Sequence, residues 1–381
     1  MTTISPFRAN VSDDDLKDLR ERLARTRWPD PQIVPDWSQG IPLEYVREVC
    51  EYWATSYDWR RAEGRLNSFD QVLVTIDGVD IHAIHAPSPE PNARPLILTH
   101  GWPGSVFEFL DVIEPLRNPA AHGGDPADAF HVVCPSLPGY GFSGKPQETG
   151  WNIYKVGSAW CELMHALGYQ NFLAQGGDWG SLITAAMGAR NAKDGLDGIH
   201  LNFTIANPES LMAMGEPTPE EMGQLGAMGN YVEWENGYSQ QQMTRPQTLG
   251  YGLADSPAGQ CAWILEKFKA WSGVEHPEEA FTRDHLLDNI SLYWLTNTGT
   301  SSGRMYWESM RLVFTDFSEV AIPAAYSAFP HDIMTISERW ARTRYTDLRY
   351  FSVPAAGGHF AAMHVPDLFV DEVRAGLRTM R

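Results

Sequence analysis

The sequence predicts an α/β fold, a mostly parallel sheet with helices on both faces, carrying one helical insertion and a helical segment ahead of the sheet. Three observations carry this reading. The runs "PLILTH", "HVVCPSL" and "NFLAQ" are short and apolar, as strands buried on both faces are, and they alternate with helix-length amphipathic stretches. Upstream, "QVLVTIDGVDIHAIHA" alternates about an Asp-Gly pair, Asp77-Gly78, the pattern of a hairpin. After "GIHLNFTIANP" the alternation stops for about a hundred residues rich in Met, Gln and Trp, then resumes with "IPAAYSAFP".

Taken in order, the first element is a helix capped by Ser12, with Asp13, Asp14 and Asp15 in its first turn and Leu16, Leu19 and Leu23 on one face. Prolines in "TRWPDP" end it, and a second helix is expected from Leu43 to about Trp53. Residues 1–70 thus read as a helical preface without a core of its own. Residues 71–207 hold the hairpin, the buried strands, a helix from Tyr154 to Leu167 ending at Gly168, and the strand-turn-helix "NFLAQGGDWGSLITAAMGAR". Residues 208–320 are the helical insertion, with helix signals at Ser256-Pro257 and in "AWILEKFKAW". Residues 321–381 complete the alternation with a strand, a helix near "TISERWA", the strand "LRYFSV" and a last helix from Pro366. A helical insertion in a strand-helix alternation is the arrangement of a lid over the open end of a sheet.

Composition narrows the function by exclusion. Of 381 residues 43% are hydrophobic and 20% charged, and the net charge is -19. So acidic a chain repels nucleic acid and anionic membrane. The opening "MTTISPFRANVSDDDL" lacks the basic and apolar regions of a signal peptide, and no stretch reaches the ~20 apolar residues of a membrane span. Cys50, Cys134, Cys161 and Cys261 are scattered without metal-ligand spacing, which fits a reduced, cytoplasmic enzyme. No metal or cofactor is expected, and a homodimer is compatible with the sequence.

Two motifs mislead. "GYGFSGKP" satisfies G-x-G-x-x-G through Gly139, Gly141 and Gly144, and most of a Walker A with Lys145. Both motifs need a helix directly after the glycines to hold phosphate, but Pro146 and a loop follow. In "HAIHA", His82 and His85 are three apart on a strand, so they face opposite ways and cannot share a metal.

The chemistry is concentrated at "GGDWG", where Asp178 stands at the serine position of a G-x-S-x-G nucleophile elbow. The α/β-hydrolases supply nucleophile, acid and histidine in that order, with oxyanion donors from an earlier loop, and this chain resembles them in all four. "THGWPGS" offers the backbone N–H of Trp102, and Trp179 offers a second. His359 lies in "GGHF", between a strand and a helix. Asp332 in "FPHD" follows a strand, although Asp316, Glu319, Glu338 and Asp347 compete for its role. An aspartate nucleophile selects its substrate. Serine needs a base to attack at all, whereas a carboxylate (reference pKa about 3.9) is ionised at pH 7 and displaces a leaving group from saturated carbon. The ester it forms presents its own carbonyl to the oxyanion amides, and His359 is free to activate the water that cleaves it. The substrate is an alkyl electrophile, an epoxide or an alkyl halide.

The stretches "HGWPGS", "GGDWGS", "DSPAGQCAWILEKFKAW", "NISLYWLTNTGTSSGRMYW", "YSAFPHD" and "GGHFAAMHVPD" resemble the epoxide hydrolases of the microsomal, juvenile-hormone and fungal branch along the whole chain. The resemblance implies a small-molecule epoxide as substrate; the abundant aromatics suggest an apolar pocket and so an apolar epoxide. It also implies two tyrosines that donate hydrogen bonds to the epoxide oxygen. By position these are Tyr306, in "GRMYWES", and Tyr238, with Tyr231 and Tyr251 as competitors for the second place. Phenols suit an oxygen that develops alkoxide charge. A haloalkane or haloacid dehalogenase is the alternative, sharing Asp-His chemistry but holding a halide with indole or amide N–H groups. A hydrolase-like binding protein without turnover is a further alternative, disfavoured because no catalytic group is missing.

Overall fold

The computed structural model describes residues 3–381. Among these, nine strands form one sheet in the order β1-β2-β3-β5-β4-β6-β7-β8-β9. They are β1 (Thr3–Phe7), β2 (Gln71–Ile76), β3 (Val79–Ala86), β4 (Arg94–Thr99), β5 (Phe130–Pro135), β6 (Phe172–Gly176), β7 (Leu196–Leu201), β8 (Ala324–Ser327) and β9 (Leu348–Ser352). From β5 onward every neighbouring pair is parallel, while β1, β2, β3 and β5 pair antiparallel. The Asp77-Gly78 turn joins β2 to β3, with both residues at positive φ. The fold is the α/β-hydrolase fold expected from the strand-helix alternation.

One expectation is corrected at the start of the chain. The preface is not wholly helical, because Thr3–Phe7 forms an edge strand on β2. It is exposed along most of its length and contains Pro6, which only an edge strand tolerates, so it lacks the alternation that marks an inner strand. A helix at Trp59–Leu66 follows the two expected at Asp13–Ala24 and Leu43–Thr55.

The preface grips the insertion through paired polar groups. Trp53 Nε1 donates to Ser291 at 2.9 Å, Tyr52 to Asp284 at 2.9 Å, and Tyr57 and Arg61 to Asp288 at 2.8 and 2.5 Å. All three acceptors lie on the helix Arg283–Leu295, which turns its other side to the core. There Asn289 and Tyr293 donate to the carbonyls of Pro103 and Gly104, each at 2.8 Å. The loop after β4 is therefore held by a helix that is itself held by the preface.

The glycine loop after β5 serves the same end. Tyr140 donates to the Ser302 carbonyl at 2.9 Å, and Lys145 Nζ to those of Thr296 and Asn297 at 3.0 and 2.9 Å. No helix opens until Ile153. Gly139 and Gly141 take positive φ in a loop that docks the insertion. The two histidines of β3 turn to separate partners, His82 to Ser136 and Gln71 and His85 to Tyr169.

Candidate active site

The elbow forms because the chain must reverse between β6 and the helix Trp179–Arg190 in two residues. Asp178 sits at its tip with φ 49° and ψ -126°, a conformation costly for any residue with a side chain. The flanking glycines make the turn possible: a Cβ on Gly176 would overlap the backbone of Gly180, and one on Gly180 would overlap the Thr99 carbonyl. The carboxylate is thereby pushed out of the sheet's end and toward the loop after β4.

Four of the predicted residues, Asp178, Trp102, His359 and Asp332, come together there. Trp102 N–H donates to Asp178 Oδ1 at 2.8 Å. His359 Nε2 lies 3.2 Å from Asp178 Oδ2, off the line of a hydrogen bond. His359 Nδ1 donates to Asp332 Oδ1 at 2.5 Å, and Asp332 Oδ1 also accepts the Ile333 N–H at 2.7 Å. The competing acids are engaged elsewhere: Asp316 with Tyr154 and Arg190, Glu319 with Thr346, Glu338 with Arg342, and Asp347 with Arg349. The second expected oxyanion amide, that of Trp179, opens a helix, where the first N–H groups have no partner within the helix.

Charge follows from burial and pairing. Burial alone would discourage protonation of His359, but the Asp332 carboxylate, and then Asp178, outweigh it and push the imidazole up to about 10. Burial likewise raises the carboxyl of Asp332.

Tyr238 and Tyr306 are both buried, their rings 5.8 Å apart and near perpendicular. Tyr238 stacks on Trp102 at 5.0 Å, and Tyr306 packs edge-on against Trp179 at 4.8 Å. Burial holds both phenols well above their usual range, so they are neutral donors. Tyr231, in a single π-helical turn at Tyr231–Glu235, shares a 2.8 Å hydrogen bond with the Tyr238 hydroxyl. Tyr251 is 72% exposed and takes no part.

Two cavities meet at Asp178. The larger, about 590 Å³, is bounded by Asp178, Trp179, Tyr238 and Tyr306 and walled by apolar side chains such as Ile205, Leu211, Met243 and Met310. The smaller, about 10 Å³, lies among Gly101, Glu108, Gly177, Asp178, Asn202 and His359. Glu108 and Asn202 are not among the residues that the sequence singles out. A carboxylate in the apolar run "SVFEFL" is the available signal for Glu108; Asn202 follows β7 with nothing to mark it.

Comparison with known proteins extends the picture. Residues 4–109 match the model described as Epoxide hydrolase N terminus, and residues 94–241 the alpha/beta hydrolase fold. The chain is 49% identical over 99% of its length, and 86% of the relative's, to a Stigmatella aurantiaca protein provisionally named an epoxide hydrolase. It is 35% identical to Epoxide hydrolase 1 of Sus scrofa, covering 98% of this chain and 88% of that one. Among solved structures, the juvenile hormone epoxide hydrolase of the silkworm Bombyx mori superposes with a TM-score of 0.91 at 30% identity, covering 100% of this chain and 95% of that one. The Aspergillus niger epoxide hydrolase does so at 0.88 and 30%, covering 100% and 97%. No helix among the described residues is long and apolar enough to cross a membrane.

Proposed function

The chain belongs to the epoxide hydrolase family, and we propose that it opens an apolar epoxide in two covalent steps centred on Asp178. Oδ2, the oxygen not held by Trp102 N–H, attacks an epoxide carbon from the large cavity, and the carbon–oxygen bond of the ring breaks. The departing oxygen takes hydrogen bonds from Tyr238 and Tyr306 and a proton from one of them. Esterification removes one of the two carboxylates that keep His359 protonated, so its proton affinity falls. Its proton returns, through solvent, to the phenolate left by the first step, and the neutral imidazole can serve as base. A water then gives a proton to His359 Nε2 and its oxygen to Cγ of Asp178. The tetrahedral intermediate carries its charge on Oδ1, at the Trp102 amide. The ester bond breaks, the alkyl oxygen takes the proton of the carboxyl group formed on Asp178, and a vicinal diol leaves, with Asp178 again a carboxylate and His359 again protonated.

The observation that carries this reading is the line Asp178, His359, Asp332, with buried phenols on the substrate side of the nucleophile. The volume and apolar walls of the large cavity favour a bulky apolar epoxide. One feature suits a dehalogenase instead: the Trp179 indole N–H is buried without a partner and could hold a halide. The neighbouring phenols and the relatives weigh against it. Halide release from haloalkanes would decide between the two.

The covalent scheme is tested with enzyme in excess over styrene oxide in ¹⁸O-water. After one turnover the diol is expected unlabelled and the label on Asp178, because water attacks the ester carbonyl. Label in the diol from the first turnover, with none on Asp178, would mean that Asp178 activates water directly.

A further inference from the structure

The small cavity, about 10 Å³, is the size of one water molecule, which needs room for its centre of about 10–15 Å³. It shares Asp178 with the substrate chamber, and although Phe109, Phe360 and Phe369 form part of its wall, the polar side chains of Asp178, His359, Glu108 and Asn202 border it. Of these Glu108 and Asn202 have no part in the scheme above, and the Asn202 amide oxygen is already taken by Gln175. The place of Glu108 is set by the loop after β4, where Ser105 caps the short helical turn Val106–Phe109. The Glu108 carboxyl accepts the Ser105 N–H, while the Ser105 hydroxyl oxygen accepts the Phe107 N–H. The Ser105 N–H uses one of the carboxyl group's several acceptor positions and leaves others for a water.

The glycines of "HGWPG" make room for this arrangement. A Cβ on Gly101 would overlap the Asp178 carboxyl, and a Cβ on Gly104 would overlap the Glu108 carboxyl. The loop thus has a glycine under each of two carboxyl groups, and the spacing of the motif reflects both. Burial pushes Glu108 up to about 8, a direction that His359 opposes and the nearby Asp178 reinforces. Neutral or ionised, the group still offers an oxygen lone pair to a water.

We propose that Glu108 holds the hydrolytic water, accepting a hydrogen bond from one O–H while His359 Nε2 takes the proton of the other. The water's remaining lone pair then faces Cγ of the Asp178 ester. The oxygen bonds to that carbon, one proton passes to His359, and the second stays on the oxygen, hydrogen-bonded to Glu108, which neither gains nor loses a proton. This assignment rests on the covalent reading of Asp178.

The test separates the two steps in single-turnover kinetics with styrene oxide, following ester on Asp178 by intact mass. Glu108→Gln keeps the capping bond but turns an NH₂ donor toward a water that needs an acceptor. Alkylation is expected within about two-fold of wild type, and ester hydrolysis to slow by about ten- to a hundred-fold, the usual weight of a hydrogen bond involving a charged partner. Ester should accumulate. Glu108→Asp, which keeps the carboxyl group but withdraws it from the cavity, is expected to show the same split and serves should the glutamine variant not fold. Hydrolysis at the wild-type rate, or both steps slowed alike as a purely structural cap would give, overturns the assignment. His359→Gln is run beside them: ester in that variant but not in the Glu108 variants rejects the water-holding role alone, and ester in none of them rejects the covalent reading with it.

Discussion

The carboxyl group of Asp178 has a wall on each side, and the two are built from different parts of the chain. The chamber side comes mostly from the segment between β7 and β8, where Leu211, Met228, Tyr238, Met243, Tyr306 and Met310 line about 590 Å³. The water side comes from strand ends and tight turns of the sheet: Thr99 to Glu108, Gly177, Asn202 and His359 around about 10 Å³. A chamber of flexible apolar side chains can admit many shapes, because apolar contact is non-directional. A cavity for one water bordered by carboxyl and imidazole groups cannot, because hydrogen bonds are directional. On the proposed mechanism, tolerance falls where the epoxide is held and rigidity where the water is, since the second reactant is always water.

If the two walls serve separate steps, damage to each should show in a different rate. The largest effect is expected on the water side. His359→Gln should lower turnover by about 10³- to 10⁴-fold, the upper range for loss of a general base, while alkylation proceeds and ester accumulates on Asp178. Intact mass would read this directly, and an unalkylated variant would break the division. On the chamber side, Tyr306→Phe and Tyr238→Phe should each slow alkylation by about 10²- to 10³-fold and leave ester hydrolysis nearly unchanged. A Tyr238→Phe variant as fast as wild type would pass its role to Tyr231, already in hydrogen-bond contact with it.

The smallest effect is one of stability. His359 is raised to about 10 in the folded chain from an ordinary 6.5. The folded state therefore binds more protons across that window, and the resulting stabilisation is fully present below about pH 6.5 and lost as pH rises through about 10. The thermal midpoint of wild type should fall between pH 7 and pH 10 by a few degrees more than that of His359→Gln. Equal slopes in the two proteins would show that the imidazole is not held protonated in the resting site.

The same contrast governs what can be read without coordinates. The water side is made of motifs, and a motif is legible when its residues are close in sequence and its geometry is severe. The elbow is such a case: only glycine fits at Gly176 and Gly180, so the pattern around Asp178 survives as text. Glu108 stays hidden because a glutamate that caps a helical turn and one that borders a site look alike until the Asp178 carboxyl is seen near it. The edge strand Thr3–Phe7 is illegible for the opposite reason, since a short, exposed strand with a proline carries no pattern.

The sequence by itself determined the candidate nucleophile, the strand-turn-helix that presents it, the order in which the candidate acid and histidine follow, and the interruption that becomes the chamber wall. These are local matters, governed by periodicity and backbone freedom over a few residues. The tertiary structure alone decided that Asp332 rather than Asp316, Glu319, Glu338 or Asp347 reaches His359, 27 residues away, and that Trp102 reaches Asp178 across 76. It also decided that Tyr238 is buried beside Tyr306 while Tyr251, on the next helix, faces water. Such pairings depend on how β4, β6 and β8 are ordered in the sheet and on how the preface clamps the helix Arg283–Leu295 against the loop after β4. Side chains of one type and similar context differ only in where the packed chain carries them, and that is settled by contacts between residues far apart in sequence, to which no short stretch is sensitive.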